Sequence, residues 1–178
     1  MDDEEWYVIC DEKEILLEKN DNDEYKLSFD IKENKTNDAS VLEIFKEEQF
    51  FELLYELNKD LIKTLDVTCD NKINKVALNI INLKNEYKNN KNINIYINFL
   101  YDFQNKQCFI NSVPFENNVN QSEDNIYISD FKLSCIEGEP TKILLKFNVN
   151  DIIDNNVFQM YIGLYFKKIF HRFKMYFE

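Results

Sequence analysis

The chain has 178 residues, of which 44% are hydrophobic and 15% aromatic, so it can bury a core and is too apolar for a disordered protein. Its 33 acidic and 21 basic residues give a net charge of -12, which disfavours binding to nucleic acids and other polyanions. We therefore predict a single acidic globular domain, residues 1–178, that does not bind nucleic acid.

The first predicted elements are two strands. The runs WYVIC at 6–10 and EYKLSFDI at 24–31 are rich in aromatic and β-branched residues, and an acidic stretch with NDND separates them. This pattern is typical of an opening pair of strands around a turn. Although the segment from Asp21 begins like a calcium loop, it lacks the central glycine, so we interpret it as a solvated turn.

An amphipathic helix is predicted next, from Ser40 to about Leu65. Apolar residues recur there at spacings of three and four, namely Leu42, Phe45, Phe50, Leu53, Leu54, Leu57, Leu61 and Leu65. Ser40 followed by Glu43 has the form of a capping box. An alternative interpretation ends a strand at SVLEIF and begins the helix near Glu47.

After Asp66 the hydrophobic period changes to that of strands. In NINIYINF at 92–99, isoleucine and phenylalanine alternate with asparagine and tyrosine, as in a strand with one buried face. Four further runs have strand character, namely KVALNIINL, KQCFINSV, NIYISDFKLSC and TKILLKFNV. Because their connections are short and polar, we predict antiparallel pairing between neighbours.

The chain ends in a predicted helix that begins after Asp154 or Asn155, either of which could cap it. Aromatic and aliphatic residues recur there at helical spacing, namely Phe158, Tyr161, Ile162, Tyr165, Ile169, Phe173 and Tyr176. The alternative is a last strand over FQMYIGLYF. Together the elements predict an α+β fold, with an antiparallel sheet of about six to seven strands, one central amphipathic helix (40–65) and a C-terminal helix.

The sequence lacks the usual signatures of cofactor and metal sites. Gly138 and Gly163 stand alone, whereas loops that bind phosphates or dinucleotides need several glycines. The cysteines at 10, 69, 108 and 135 are too far apart for a zinc motif, and we interpret them as free thiols. We predict no cofactor, no metal and no catalytic residue.

An enzyme that uses His171 or a cysteine is one alternative. His171 is the only histidine, but lysines surround it in the sequence, and they would lower its pKa without orienting it as a carboxylate does. We therefore predict that the protein is not an enzyme.

The N-terminus lacks a secretory signal and no apolar run reaches membrane-spanning length, so we predict an intracellular, most simply cytoplasmic, protein. The function predicted is a non-enzymatic protein-interaction module, a subunit or adaptor of a complex, with no small-molecule substrate. Its partner-binding residues are predicted on the two helices: Glu47, Glu48, Glu52, Glu56, Lys167, Lys168, Arg172 and Lys174.

Two further modes of interaction follow from the same sequence. Strand addition is possible along NINIYINFLYDF, because a long uncharged edge invites pairing. The basic aromatic C-terminal helix also allows an alternative function as a peripheral membrane-associated protein. With four basic residues and no second anchor, this membrane binding would be weak and sensitive to salt.

Overall fold

A curved antiparallel sheet forms one layer of the fold, and helices pack against one of its faces. In the computed structural model, the described residues are 5–33, 40–45, 48–70, 73–80, 91–102, 104–113, 125–150 and 156–178. Their elements, in chain order, are β1 Trp6–Glu12, β2 Ile15–Asn20, β3 Glu24–Ile31, α1 Val41–Ile44, α2 Glu48–Leu57, β4 Ile62–Asp70, β5 Ile73–Ile80, β6 Lys91–Asp102, β7 Gln107–Ser112, β8 Asn125–Ile136, β9 Thr141–Asn150 and α3 Asn156–Phe177.

Within these ranges the sheet has nine strands in the order β1-β2-β3-β9-β8-β7-β6-β5-β4. Neighbours pair antiparallel, and β6 also makes a short parallel pairing with β8. The pairing of β3 with β9 joins the three N-terminal strands to the last strand of the sheet. The predicted edge segment NINIYINFLYDF begins in β6, whose residues 91–97 pair with β5 and whose residues 97–102 pair with β7. Because β6 is an inner strand of the sheet, the prediction of an edge there is wrong.

The α+β class, the antiparallel sheet and the C-terminal helix are confirmed, and the sheet extends to nine strands within the described ranges. The N-terminal region holds three strands rather than two, because the acidic stretch contains β2. Its Ile15 and Leu17 are fully buried. Lys13 and Glu14 both have positive φ, as a tight two-residue hairpin turn requires.

The segment predicted as one helix over 40–65 is α1, α2 and the beginning of β4. The capping box of Ser40 and Glu43 is present at the start of α1, with both of its hydrogen bonds. Asn58 ends α2: its Nδ2 donates to the Leu54 carbonyl at 2.8 Å, and its own carbonyl accepts from the amide of Ile62. The apolar residues beyond this turn therefore belong to a strand.

Helix α3 packs along β2 and β3 and contributes five of the twelve buried aromatic side chains of the described residues. Its buried apolar side chains are Ile162, Tyr165, Phe166, Ile169, Phe170, Phe173 and Phe177. The ring of Phe166 lies 4.9 Å from that of Phe147, and the ring of Phe170 lies 6.0 Å from that of Phe29. The approach is closest at Gly163, where a Cβ atom would stand 3.0 Å from the Tyr25 ring. The predicted caps Asp154 and Asn155 lie outside the described residues.

Candidate functional site

The face of the sheet that is turned towards the helices is a continuous apolar layer. Buried aliphatic side chains cover its middle strands, namely Val76, Ile93, Ile95, Ile97, Ile110, Ile126, Ile128 and Leu133. Strand register places Val76 opposite Ile95 and Ile93 opposite Ile126. Helix α3 packs on β2 and β3, and α2 packs on β4 and α3. The apolar layer on the strands between these contacts therefore forms the floor of the interior, on the side of the sheet that faces the helices.

Polar side chains also lie in the apolar interior, among them Tyr25 and Gln159. Tyr25 is fully buried on the inner face of β3, where it alternates with polar residues that point outward. Gln159, which is 6% exposed, lies one turn before Gly163 on α3, and Gly163 lies over the Tyr25 ring. Neither Tyr25 Oη nor Gln159 Oε1 has a hydrogen-bond partner in the structure.

The ionisation of Tyr25 follows from its position. Burial, with a smaller effect from the charge of Asp23, raises the pKa of Tyr25 to about 12. The phenol is therefore neutral at physiological pH and can both donate and accept a hydrogen bond.

The predicted basic contact residues of α3 mostly bind within the chain. Arg172 forms a two-pronged ion pair with Asp60, in which Nη2 lies 2.8 Å from Oδ2. Lys167 is buried, with Nζ 3.1 Å from Cys10 Sγ. Lys168 is exposed. As contacts for a partner these residues remain a prediction, and their visible contacts hold α3 in place.

Lys174 anchors the end of α3 to the sheet. Only 3% of Lys174 is exposed, and its Nζ lies 3.0 Å from the Asp30 carbonyl oxygen. Carboxylates of Glu178 and Glu14 lie at 2.5 and 3.1 Å from the same nitrogen. The buried charge is thus fully paired.

The two predicted acidic contact residues whose side chains are described lie apart from the interior. Glu52 and Glu56 are exposed on α2, and Glu56 pairs with Lys59 at 2.6 Å. Glu47 and the side chain of Glu48 lie outside the described part of the chain. As partner contacts these four also remain a prediction.

In the described part of the chain, no hydrogen bond joins His171 to a cysteine. Half-buried His171 has its pKa lowered by burial and by surrounding cations, first among them Lys13. Cys108 and Cys135 are opposite one another on β7 and β8, and burial raises the pKa of both thiols, that of Cys108 to about 12. In the described ranges, no group of three His, Cys, Asp or Glu residues could hold a metal ion.

An open depression of about 530 Å³ lies on the opposite, outer face of the sheet. Ser28, Asp30, Lys142 and Leu144 are among its lining residues, and each alternates along its strand with residues of the core. The sheet therefore separates this depression from the interior that holds Tyr25.

No protein-family model matches the chain, and no curated protein matches it. Solved structures do match. The human StarD13 (DLC2) lipid transfer and protein localization domain aligns with a TM-score of 0.69 and 10% identity, over 99% of this chain and 90% of that one. Human StAR-related lipid transfer protein 5 aligns at 0.66 and 6% identity, over 97% and 86% of the two chains. The fold is that of StAR-related lipid transfer domains.

A bacterial protein shares the StAR-related fold. The STAR-related lipid transfer protein fragment from Xanthomonas axonopodis aligns with a TM-score of 0.56 and 9% identity, over 92% of this chain and 96% of that one. These matches extend over nearly all of each chain, so the likeness covers the whole architecture of sheet and helices.

The StAR-related fold corrects the predicted function. A protein-interaction subunit or adaptor, with protein partners and no small-molecule substrate, is wrong for a chain whose structural matches are named for lipid transfer. The alternatives of a peripheral membrane-associated protein and of an enzyme that uses His171 or a cysteine remain predictions. Separately, none of the described helices is long and apolar enough to cross a membrane.

The sequence-based reasoning missed Tyr25 and Gln159. A signal for each was present, because Tyr25 alternates in phase with Leu27 and Phe29, and Gln159 falls in the helical stripe that continues to Ile162. A polar residue in phase with apolar ones marks a buried polar group. Neither segment alone predicts which of these groups lie close together in the folded protein.

Proposed function

We propose that this protein binds an apolar small molecule of the lipid class between α3 and the inner face of the sheet, and that it acts as a carrier. The observation that supports this best is the match to lipid-transfer proteins along nearly the whole chain, together with the apolar floor formed by β5 to β8. A ligand that buries about 300 Å² of apolar surface there would gain roughly 7 kcal/mol before the costs of binding.

A carrier fits the chain better than a catalyst. His171 lies among cations on the flank of α3 rather than beside a carboxylate that could orient it. The thiols of Cys108 and Cys135 stay protonated because burial raises their pKa. Neither His171 nor these two buried thiols are prepared for acid–base or nucleophilic chemistry.

A titration with a fluorescent long-chain lipid probe tests the proposal. We expect saturable binding of one probe per chain, and native mass spectrometry should show the mass of the complex. Ile128→Trp adds bulk to the inner face of β8 and should weaken binding at least tenfold. Lys132→Trp places the same side chain on the outer face of the same strand and should bind as the wild type does.

The variants need a check of folding by circular dichroism. If Ile128→Trp does not fold, Val149→Phe perturbs the same place, because Val149 is opposite Ile128 on β9. The proposal is wrong if no lipid probe binds the wild type, or if the folded inner-face variant binds as tightly as Lys132→Trp.

A further inference from the structure

We propose that Tyr25 and Gln159 form a polar recognition pair that selects a ligand carrying a neutral hydroxyl group and rejects lipids with a phosphate head group. This inference rests on the proposed lipid-binding function and adds the chemical class that the interior accepts.

The first support is the state of the buried polar atoms. Over the described residues, four buried side-chain atoms lack a hydrogen-bond partner: Tyr25 Oη, Gln159 Oε1, Asn98 Oδ1 and Asn148 Oδ1. Both asparagines alternate with core residues and so point to the outer face. Only the first two of the four face the interior. Because nearly all buried polar groups in proteins are hydrogen-bonded, each of these two atoms has a hydrogen-bonding position that a ligand could fill.

The second support is the position of the two groups. A Cβ atom at Gly163 would be 3.1 Å from Tyr25 Cε1, and Gln159 precedes Gly163 by one helical turn, about 5 to 6 Å. The Tyr25 ring is stacked on that of Phe147, with centroids 5.5 Å apart and an interplanar angle of 17°. The phenol is thus fixed in place, and a group that meets both side chains must lie between α3 and β3.

The third support is the match of donors and acceptors. Gln159 Oε1 can only accept a hydrogen bond, whereas the Tyr25 hydroxyl can donate one. An alcohol donates one hydrogen bond and accepts others, so a single hydroxyl group satisfies both side chains. A phosphate diester only accepts, and it would leave Gln159 Oε1 unsatisfied and facing another oxygen.

The fourth support is the charge around the pair. A buried phosphate needs a cation, because an unpaired buried charge is strongly unfavourable. Lys19, whose Nζ is 5.6 Å from the centre of the Tyr25 ring, is already paired with Asp23 at 2.5 Å. Arg172 and Lys174 of α3 are likewise paired with carboxylates. The ammonium of Lys167, which is also buried, contacts the Cys10 thiol on β1. The interior therefore favours an uncharged polar group.

Three pyrene-labelled probes with the same chain length test the selection: a long-chain alcohol, its methyl ether and a phosphatidylcholine. The wild type should bind the alcohol at least tenfold more tightly than the phosphatidylcholine, and about three- to tenfold more tightly than the ether. Tyr25→Phe and Gln159→Leu should each weaken alcohol binding by about three- to tenfold, and Gln159→Leu should remove the preference over the ether.

Tyr165→Phe is the matched control for Tyr25→Phe, because the Tyr165 hydroxyl already donates to the Leu61 carbonyl at 2.6 Å. In delipidated protein, Tyr165→Phe should lower the urea midpoint of unfolding, whereas Tyr25→Phe should leave it unchanged or raise it. The reason is that only the Tyr165 hydroxyl has a bond to lose.

The possible results separate the two proposals. If none of the three probes binds, the lipid-binding function itself falls. If phosphatidylcholine binds as tightly as the alcohol, or if the variants keep the wild-type preference, the recognition pair is wrong while lipid binding stands. A fall in the urea midpoint for Tyr25→Phe equal to that for Tyr165→Phe also overturns the pair, because the hydroxyl would then have a partner such as a buried water.

Discussion

Replacing Gly163 by alanine tests how closely α3 lies on the sheet. In a free helix this change would stabilise by about 1 kcal/mol, because glycine loses more backbone freedom than alanine on folding. In this protein the new methyl group would lie 3.0 and 3.1 Å from Tyr25 ring carbons and 3.4 Å from a Leu17 methyl. Carbon atoms pack best at about 3.5 to 4.0 Å, so the methyl overlaps the ring.

The ring has little freedom to move aside, because Tyr25 is stacked on Phe147. Overpacking of a core by one methyl group costs about 1 to 3 kcal/mol, which exceeds the gain in helix propensity. We therefore expect Gly163→Ala to lower the free energy of unfolding by about 1 kcal/mol. Urea unfolding followed by circular dichroism measures this as a lower midpoint at an unchanged slope.

A double-mutant cycle identifies the cause. In a Tyr25→Leu background the smaller side chain leaves room for the methyl, so Gly163→Ala should become neutral or stabilising. A gain of about 1 kcal/mol from Gly163→Ala in the wild type would refute the reasoning. In that case α3 would lie farther from β3 than the structure shows, and Gln159 would not lie near Tyr25.

Lys174→Met removes the ammonium that ties α3 to the sheet, and we expect urea unfolding to show a loss of about 2 kcal/mol. Hydrogen bonding from its arginine partner lowers the pKa of Asp60 from 3.8 to about 2, so this ion pair stabilises above about pH 4 and is lost as pH falls towards 2. Asp60→Asn should therefore flatten the loss of stability in that range. Iodoacetamide should modify half-buried Cys10 in the folded protein, whereas buried Cys108 and Cys135 should react only on unfolding, as peptide mass spectrometry can show.

Each of these expectations has a result that contradicts it. An unchanged midpoint for Lys174→Met would mean that the ammonium is solvated rather than buried. If the stability of Asp60→Asn falls with pH as that of the wild type does, the group responsible for the loss of stability in acid is not Asp60. Rapid labelling of Cys108 or Cys135 in the folded state would mean that the inner face of β7 and β8 opens to solvent.

Local chemistry made several elements predictable. Ser40 and Glu43 specify the start of α1 through two hydrogen bonds that span three residues, and the alternation in 92–99 specifies a strand. The helix predicted over 40–65 failed beyond Asn58, because leucines at helical spacing also fit a turn and a strand. There the side chain of Asn58 bonds to the Leu54 carbonyl, and this contact decides between the two.

The sequence by itself determined most of the strands and helices and which of their faces are apolar, because both properties arise from neighbours within a few residues. Only the tertiary structure decided what those faces meet. Tyr25 contacts Phe147 because β3 pairs with β9, and α3 brings Gly163 against the Tyr25 ring, with Gln159 one turn before it. Tyr25 precedes both Phe147 and Gln159 by more than 100 positions, and the apolar contacts between these segments carry no motif. For that reason the sequence predicts the fold in outline, but it does not predict which residues lie together in the interior where we propose that a ligand binds.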